Sequence, residues 1–208
     1  MTKNQYKKKT ILMVLSVIAF LGLVLSASWA VMTISASHGN VNLTASISSR
    51  PVFSATATDE ISLEVGAIGQ EVQEEYVAAS DTATIDILLS SNWTNNVTCN
   101  YDIVWEWTET LDDNAKYIKT AGASKEYTVS GVSNNDSFED VQLDNYNLEN
   151  RKQVLYNASI TVGANQMVSD TWTFTNSFYK TKVSQNGHKG HSYSGKIYVE
   201  NVLCGVAS

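Results

Sequence analysis

The sequence predicts an all-β domain, an antiparallel β-sandwich of the jelly-roll or immunoglobulin-like type, preceded by one N-terminal transmembrane or signal helix. Three observations lead to this prediction. Short stretches in which apolar and polar side chains alternate dominate the chain after residue 36, as is typical of half-buried strands. Turns rich in Asn, Asp, Ser and Gly separate them. No helical pattern of ten or more residues lies between them, which disfavours a parallel α/β fold.

The first segment, residues 1–36, differs from the rest of the chain. A tip with four lysines precedes an uncharged run whose centre, residues 11–34, is mostly aliphatic. As a helix these residues would be about 36 Å long, enough to cross a hydrocarbon core of ~30 Å. Lysines before the run predict a cytoplasmic start and an extracellular remainder. The run is longer than a usual signal core, yet small residues around Ala30 and Ala36 suit a signal peptidase. The protein is thus either anchored or secreted.

The second segment, residues 37–208, is long enough for one domain with a sizeable core. It contains all 21 acidic residues and 10 of the 14 basic residues, a formal charge of −11. Such a charge disfavours nucleic acid and anionic lipid as partners.

Eight or nine strands are expected in this second segment, and an antiparallel sandwich accommodates that number. After an alternating stretch at 41–47, Pro51 begins a strand-like run. The later strands are predicted at residues 61–65, 83–89, 97–108, 126–132, 154–162, 171–179 and 194–204. In the clearest of them, 97–108, one face carries Val97, Cys99, Tyr101, Ile103, Trp105 and Trp107. Residues 136–151 are polar and acidic, and are predicted as a long loop or one short helix.

The two cysteines, Cys99 and Cys204, both lie in the second segment. Outside the cell they are free to oxidise. We expect a disulfide, which would close a loop of about 105 residues and contribute up to ~4–5 kcal/mol. Two separate structural thiols are the alternative.

The sequence contains few residue patterns that are typical of catalytic sites. His188 and His191 lie among glycines and a lysine, without the glutamate of a zinc-hydrolase helix, so a solvated turn is the simplest interpretation. No nucleophile elbow, Cys–His signature or phosphate loop is present. The sequence therefore predicts a protein without enzymatic activity, and a hydrolase remains a remote alternative.

Two binding sites are conceivable from composition. Oxygen ligands for calcium are concentrated near Asp136, Glu139 and Asp140, although without EF-hand spacing, and a solvated acidic loop is the simpler reading. For sugars, Trp93 is the best candidate for an exposed aromatic contact, because it lies in a turn. Trp105 and Trp107 share a face with apolar residues and are expected in the core.

Several stretches resemble uncharacterised surface proteins of gut Firmicutes. They are residues 97–107 (VTCNYDIVWEW), 169–175 (SDTWTFT), 193–199 (YSGKIYV) and 199–204 (VENVLC). In its lysine-rich start, single apolar segment and β-sandwich, the group is similar to the TasA/camelysin class. That resemblance implies a cell-surface or biofilm-matrix protein, since the class includes proteins that assemble into extracellular fibres. Although its members are often described as metallopeptidases, no residues of this chain support that activity.

The leading hypothesis is therefore a structural or adhesive surface component. Sheets with open edges can accept a strand from a neighbouring subunit. Residues 41–47 would suit that role if cleavage frees them, whereas in an uncleaved chain they would form the first strand of their own domain. A binding module for glycan or calcium is the second hypothesis.

Overall fold

The computed structural model describes residues 51–57, 60–66 and 72–207. Its nine strands are β1 (Val52–Ala57), β2 (Ile61–Glu64), β3 (Tyr76–Ser90), β4 (Val97–Trp107), β5 (Tyr127–Val132), β6 (Ser137–Gln142), β7 (Lys152–Val162), β8 (Met167–Lys180) and β9 (Ser192–Val206). Two 3-10 turns are also present, at Asp113–Ala115 and Asn186–His188. The predicted all-β class is confirmed. The apolar segment 11–34 and the predicted strand 41–47 lie outside the described residues.

The strands form two antiparallel sheets, as in a β-sandwich. The five-stranded sheet has the order β1-β3-β8-β5-β6, and the four-stranded sheet has the order β2-β9-β4-β7. Within the described ranges, no helix has the length and hydrophobicity that crossing a membrane requires.

The pairing of the last eight strands is nested. β2 pairs with β9, β3 with β8, β4 with β7, and β5 with β6. These pairs lie alternately in the four-stranded and the five-stranded sheet. The chain therefore resembles a long two-stranded ribbon that turns back between β5 and β6 and is then rolled up.

The core lies between the two sheets and is rich in aromatic side chains. Trp105 of β4 is completely buried and packs edge-on against Tyr127 of β5, with 5.9 Å between ring centroids. Trp107 is also buried, so the prediction that both tryptophans belong to the core is confirmed. Gly195 of β9 lies directly against Trp105, where a Cβ atom would overlap the indole ring. Only glycine allows this approach of the backbone.

One element was predicted incorrectly. Residues 136–151 were expected to be a loop or a short helix, but Ser137–Gln142 forms edge strand β6. Phe138 points into the core, while the acidic Glu139 and Asp140 are exposed. Pairing between β5 and β6 is irregular between Val129 and Gly131, and Asp140 has a positive φ of 46°. This irregularity disrupts the alternation that would have indicated a strand.

Candidate functional site

Cys99 and Cys204 form a disulfide, as the sequence predicted. They are directly opposite each other on the neighbouring strands β4 and β9. Cys99 is completely buried and Cys204 is half-buried. The disulfide thus fixes the register of the two central strands of the four-stranded sheet near the β4 N-terminus.

A β-bulge lies immediately beside the disulfide. Asn100 pairs with Leu203 and Asp102 with Glu200, so that two residues of β9 are opposite the single residue Tyr101. One of the two is Asn201, whose φ is 54°, a left-handed conformation that asparagine tolerates better than most residues. Bulges of this kind redirect side chains and are common beside functional sites.

A polar groove of about 380 Å³ surrounds this bulge. Three strands, β4, β7 and β9, contribute to its lining. Its solvent-facing side chains on these strands are Asn100, Asp102, Asn157, Ser159, Asn201 and Leu203, and Asp136 from the turn before β6 also lines it. The carboxylate of Asp102 accepts a hydrogen bond at Oδ1 from the amide of Asn157 and one at Oδ2 from the amide of Asn201, the latter at 2.8 Å. No sequence pattern connects Asp102, Asn157 and Asn201, because only the pairing of three strands brings them together.

The second candidate surface is the outer edge of β7. In the described part of the chain, β7 pairs with β4 alone, and it is longer than the other edge strands β1, β2 and β6. Its first half is approached by the preceding loop, since the Gln153 side chain bonds the main chain of Gln142 and Asp144. Its second half, from residue 157 to 162, alternates exposed and buried side chains without interruption.

The ladder geometry shows which main-chain groups of β7 face outward. The Cα atoms of Cys99 and Cys204 are 4.0 Å apart, which indicates a non-hydrogen-bonded pair. The main chain of Cys99 therefore points toward β7, where Ile160 is its partner. Because the direction alternates along a strand, Ser159 and Thr161 point their N–H and C=O groups toward the open edge.

At the opposite end of the sandwich, a buried polar network joins two loops. Glu126 is completely buried, and its Oε1 accepts from Gln185 Nε2 at 2.7 Å. Its Oε2 accepts from the Thr120 main-chain N–H at 2.8 Å and lies 3.3 Å from His188 Nε2. Burial alone would raise the pKa of Glu126, but the donors from His188, Thr120 and Gln185 outweigh it and hold the pKa at about 2.

His188 and His191 are both partners of Tyr193. Nδ1 of His188 hydrogen-bonds with the Tyr193 hydroxyl, and Nδ1 of His191 lies 3.2 Å from the same oxygen. His188 is buried and stacks on Tyr117. His188 is therefore part of the buried network between the loops. The prediction that it lies in a solvated turn was wrong.

Two of the three residues considered for calcium, Asp136 and Asp140, are engaged with protein groups. Both carboxylate oxygens of Asp136 accept from the Tyr156 hydroxyl at 2.9 Å. Asp140 forms an ion pair with Lys125 at 2.9 Å, and the bond from Lys125 lowers the pKa of that carboxyl. Glu139 is exposed on β6. Among the described residues, no group of three His, Cys, Asp or Glu side chains is arranged to hold a metal ion.

Trp93, considered for sugar stacking, lies in the turn between β3 and β4. It is half-buried and packs against the core. Its main-chain N–H bonds to Ser91 Oγ, and its carbonyl accepts from Asn165. Part of its ring surface is thus already used by the fold.

No protein-family model matches the chain, and no curated protein matches it. The function of the chain must therefore be inferred from its own residues.

Proposed function

We propose that this protein is a non-catalytic component of the extracellular surface that associates with copies of itself by strand addition. The main support is the second half of β7, where no described strand pairs with the outward main-chain groups of Ser159 and Thr161, so that these groups can bond an added strand. The hydrophobic segment 11–34 would deliver the domain across the membrane and anchor it if it is retained. The disulfide fits this location, because disulfides persist in oxidising compartments.

The donor strand in this proposal is the segment 41–47. It alternates the apolar residues Val41, Leu43, Ala45 and Ile47 with polar ones. The second half of β7 has the same alternation, with Ala158, Ile160 and Val162 facing the core. A donor strand in matching register would therefore extend both the core face and the polar face of the four-stranded sheet.

Within the sandwich class, we propose the jelly-roll type rather than the immunoglobulin-like one. The nested pairing of β2 with β9, β3 with β8, β4 with β7 and β5 with β6 supports it, since a rolled ribbon with Greek-key connections gives this order. In this reading β1 is an additional strand on the edge of the five-stranded sheet.

The assembly proposal is tested with one substitution at the edge and one matched control. Thr161→Lys places a charge on the open edge strand, whereas Thr175→Lys places the same charge on the exposed face of the central strand β8. Edge lysines oppose strand addition. We expect the full-length chain recovered from cells and the control to form oligomers by size-exclusion chromatography and electron microscopy, and Thr161→Lys to stay monomeric.

Two results would contradict this proposal. Equal assembly of Thr161→Lys and wild type, with both equally folded by circular dichroism, would exclude the β7 edge. N-terminal sequencing of the assembled protein that shows an intact Met1 would exclude a donor strand freed by cleavage.

A further inference from the structure

The polar groove between β4, β7 and β9 borders the β7 edge and shares Ser159 with it, but its central side chains do not take part in the main-chain bonds of the assembly just proposed. Its central group is the carboxylate of Asp102, which lies between the amides of Asn157 and Asn201. With respect to the described residues, each carboxylate oxygen has one acceptor site left, and each amide has its carbonyl oxygen and a second N–H left. The three side chains thus offer hydrogen-bond acceptors and donors at fixed positions next to each other.

We propose that this groove binds an uncharged saccharide through two neighbouring hydroxyl groups. A hydroxyl group both donates and accepts, so each one can donate to an oxygen of Asp102 while it accepts from the amide of Asn157 or Asn201. Bonds to a carboxylate are stronger than bonds between neutral groups. Leu203, which is 43% exposed, adds an apolar surface for the C–H groups of the sugar ring.

The charge of the groove defines the class of saccharide. Asp102 and Asp136 both line it, and no basic residue does. Carboxylated or sulfated sugars would therefore be repelled. The two amides present N–H groups rather than carbonyl oxygens to the carboxylate, which suits a hydroxyl ligand better than a calcium ion, since calcium requires oxygen ligands.

The backbone around the groove holds these groups in place before a ligand arrives. Asn201 occupies a left-handed conformation within the bulge, and such conformations persist only where the surroundings enforce them. The Cys99–Cys204 disulfide is one rung away from the pair Asn100–Leu203, which lines the groove. A preorganised site loses less entropy on binding than a mobile one.

Two substitutions test the site without endangering the fold. Asn201→Gly removes the side chain and allows the same positive φ. Asp102→Asn keeps the shape but removes the charge. The matched control is Asp86→Asn on the five-stranded sheet, because Asp86 is also a strand aspartate on a polar sheet face that accepts a side-chain bond, from Thr171 at 2.7 Å.

The measurement is retention of the full-length protein on an array of neutral oligosaccharides, with sialylated and uronic-acid glycans on the same surface. We expect wild type and Asp86→Asn to bind at least one neutral glycan equally. The affinity of Asp102→Asn and of Asn201→Gly for this glycan should be lower by a factor of about ten or more. Losing a hydrogen bond to a charged group usually has an effect of this size.

Four outcomes would overturn the proposal: no retention of wild type on any neutral glycan, preference for the anionic glycans, loss of binding on adding EDTA, or unchanged binding by both groove variants. None of these affects the assembly proposal, whose variant Thr161→Lys lies outside the groove. The two proposals can therefore fail separately.

Discussion

The two ends of the β4–β9 pair are stabilised by different chemistry. At one end, the Cys99–Cys204 disulfide joins the strands covalently. At the other end, the loops beyond the strands are joined by the hydrogen bonds of Glu126 with Gln185 and of His188 with Tyr193. The first connection depends on the redox state and the second on protonation. A single domain thus contains two supports that can be removed independently.

The largest expected effect is at the disulfide end. Removing the disulfide with Cys99→Ala and Cys204→Ala should lower the free energy of unfolding by about 4 kcal/mol, because the bond closes a loop with a sequence separation of 105. Urea denaturation of the double variant and of wild type measures the loss. The difference should be the same at pH 7 and at pH 3, since the disulfide does not titrate. A difference that grows on acidification would show that the two ends are coupled.

A smaller effect is expected at the network end, and it depends on pH. A pKa of about 2 for Glu126 instead of about 4.5 in the unfolded chain corresponds to about 3 kcal/mol. Because the folded-state pKa is the lower one, this stability is present above pH 4.5 and is lost as the pH falls toward 2. Urea denaturation should therefore show that the free energy of unfolding of wild type is well above that of Glu126→Gln at pH 7. At pH 2 the two values should be close.

The control for this prediction is Glu109→Gln. Glu109 is an exposed partner of Arg151, at 3.5 Å, and exposed ion pairs contribute little. The stability of the Glu109→Gln variant should equal that of wild type at every pH. If wild type and Glu126→Gln lose stability in parallel on acidification, Glu126 is not the group that responds.

The smallest effect concerns the tyrosine that connects both histidines. Tyr193→Phe removes the hydroxyl that hydrogen-bonds with His188 and His191 and should cost about 1–2 kcal/mol, because Nδ1 of the buried His188 is left unsatisfied. Tyr146→Phe is the comparison, since the buried Tyr146 hydroxyl has no hydrogen-bond partner among the described residues. Thermal denaturation should show a clear decrease for the first variant and almost none for the second. Equal losses would mean that the network adds no specific stability.

The disulfide end was predictable from the sequence, whereas the network end was not. With two cysteines in the chain there is one possible intramolecular pair, and the uninterrupted alternation around Cys99 identified β4. Glu126, Gln185 and His188 are ordinary polar residues separated by up to 62 positions. No local pattern indicates that such residues are buried together, because their burial depends on how the loops meet after folding.

The groove could not be predicted from the sequence either, because it depends on the register between strands. The alternation placed Asp102 on the polar face of its strand, which the structure confirms. Its neighbours Asn157 and Asn201 come from strands whose pairing with β4 is shifted by bulges on both sides. A bulge is one additional residue, and hydrophobic periodicity does not reveal which polar residues it brings together.

The strand order also has a consequence for the rate of folding. β9 lies between β2 and β4, and Ile61 pairs with Gly195, far away along the chain. Among the described strands, β2 pairs with β9 alone, and β9 is synthesised only from residue 192 onward. Such non-local contacts slow folding to the range of milliseconds to seconds, and during that interval unpaired strands are exposed to aggregation. For this protein, the period before β9 inserts is when a chaperone would be most valuable.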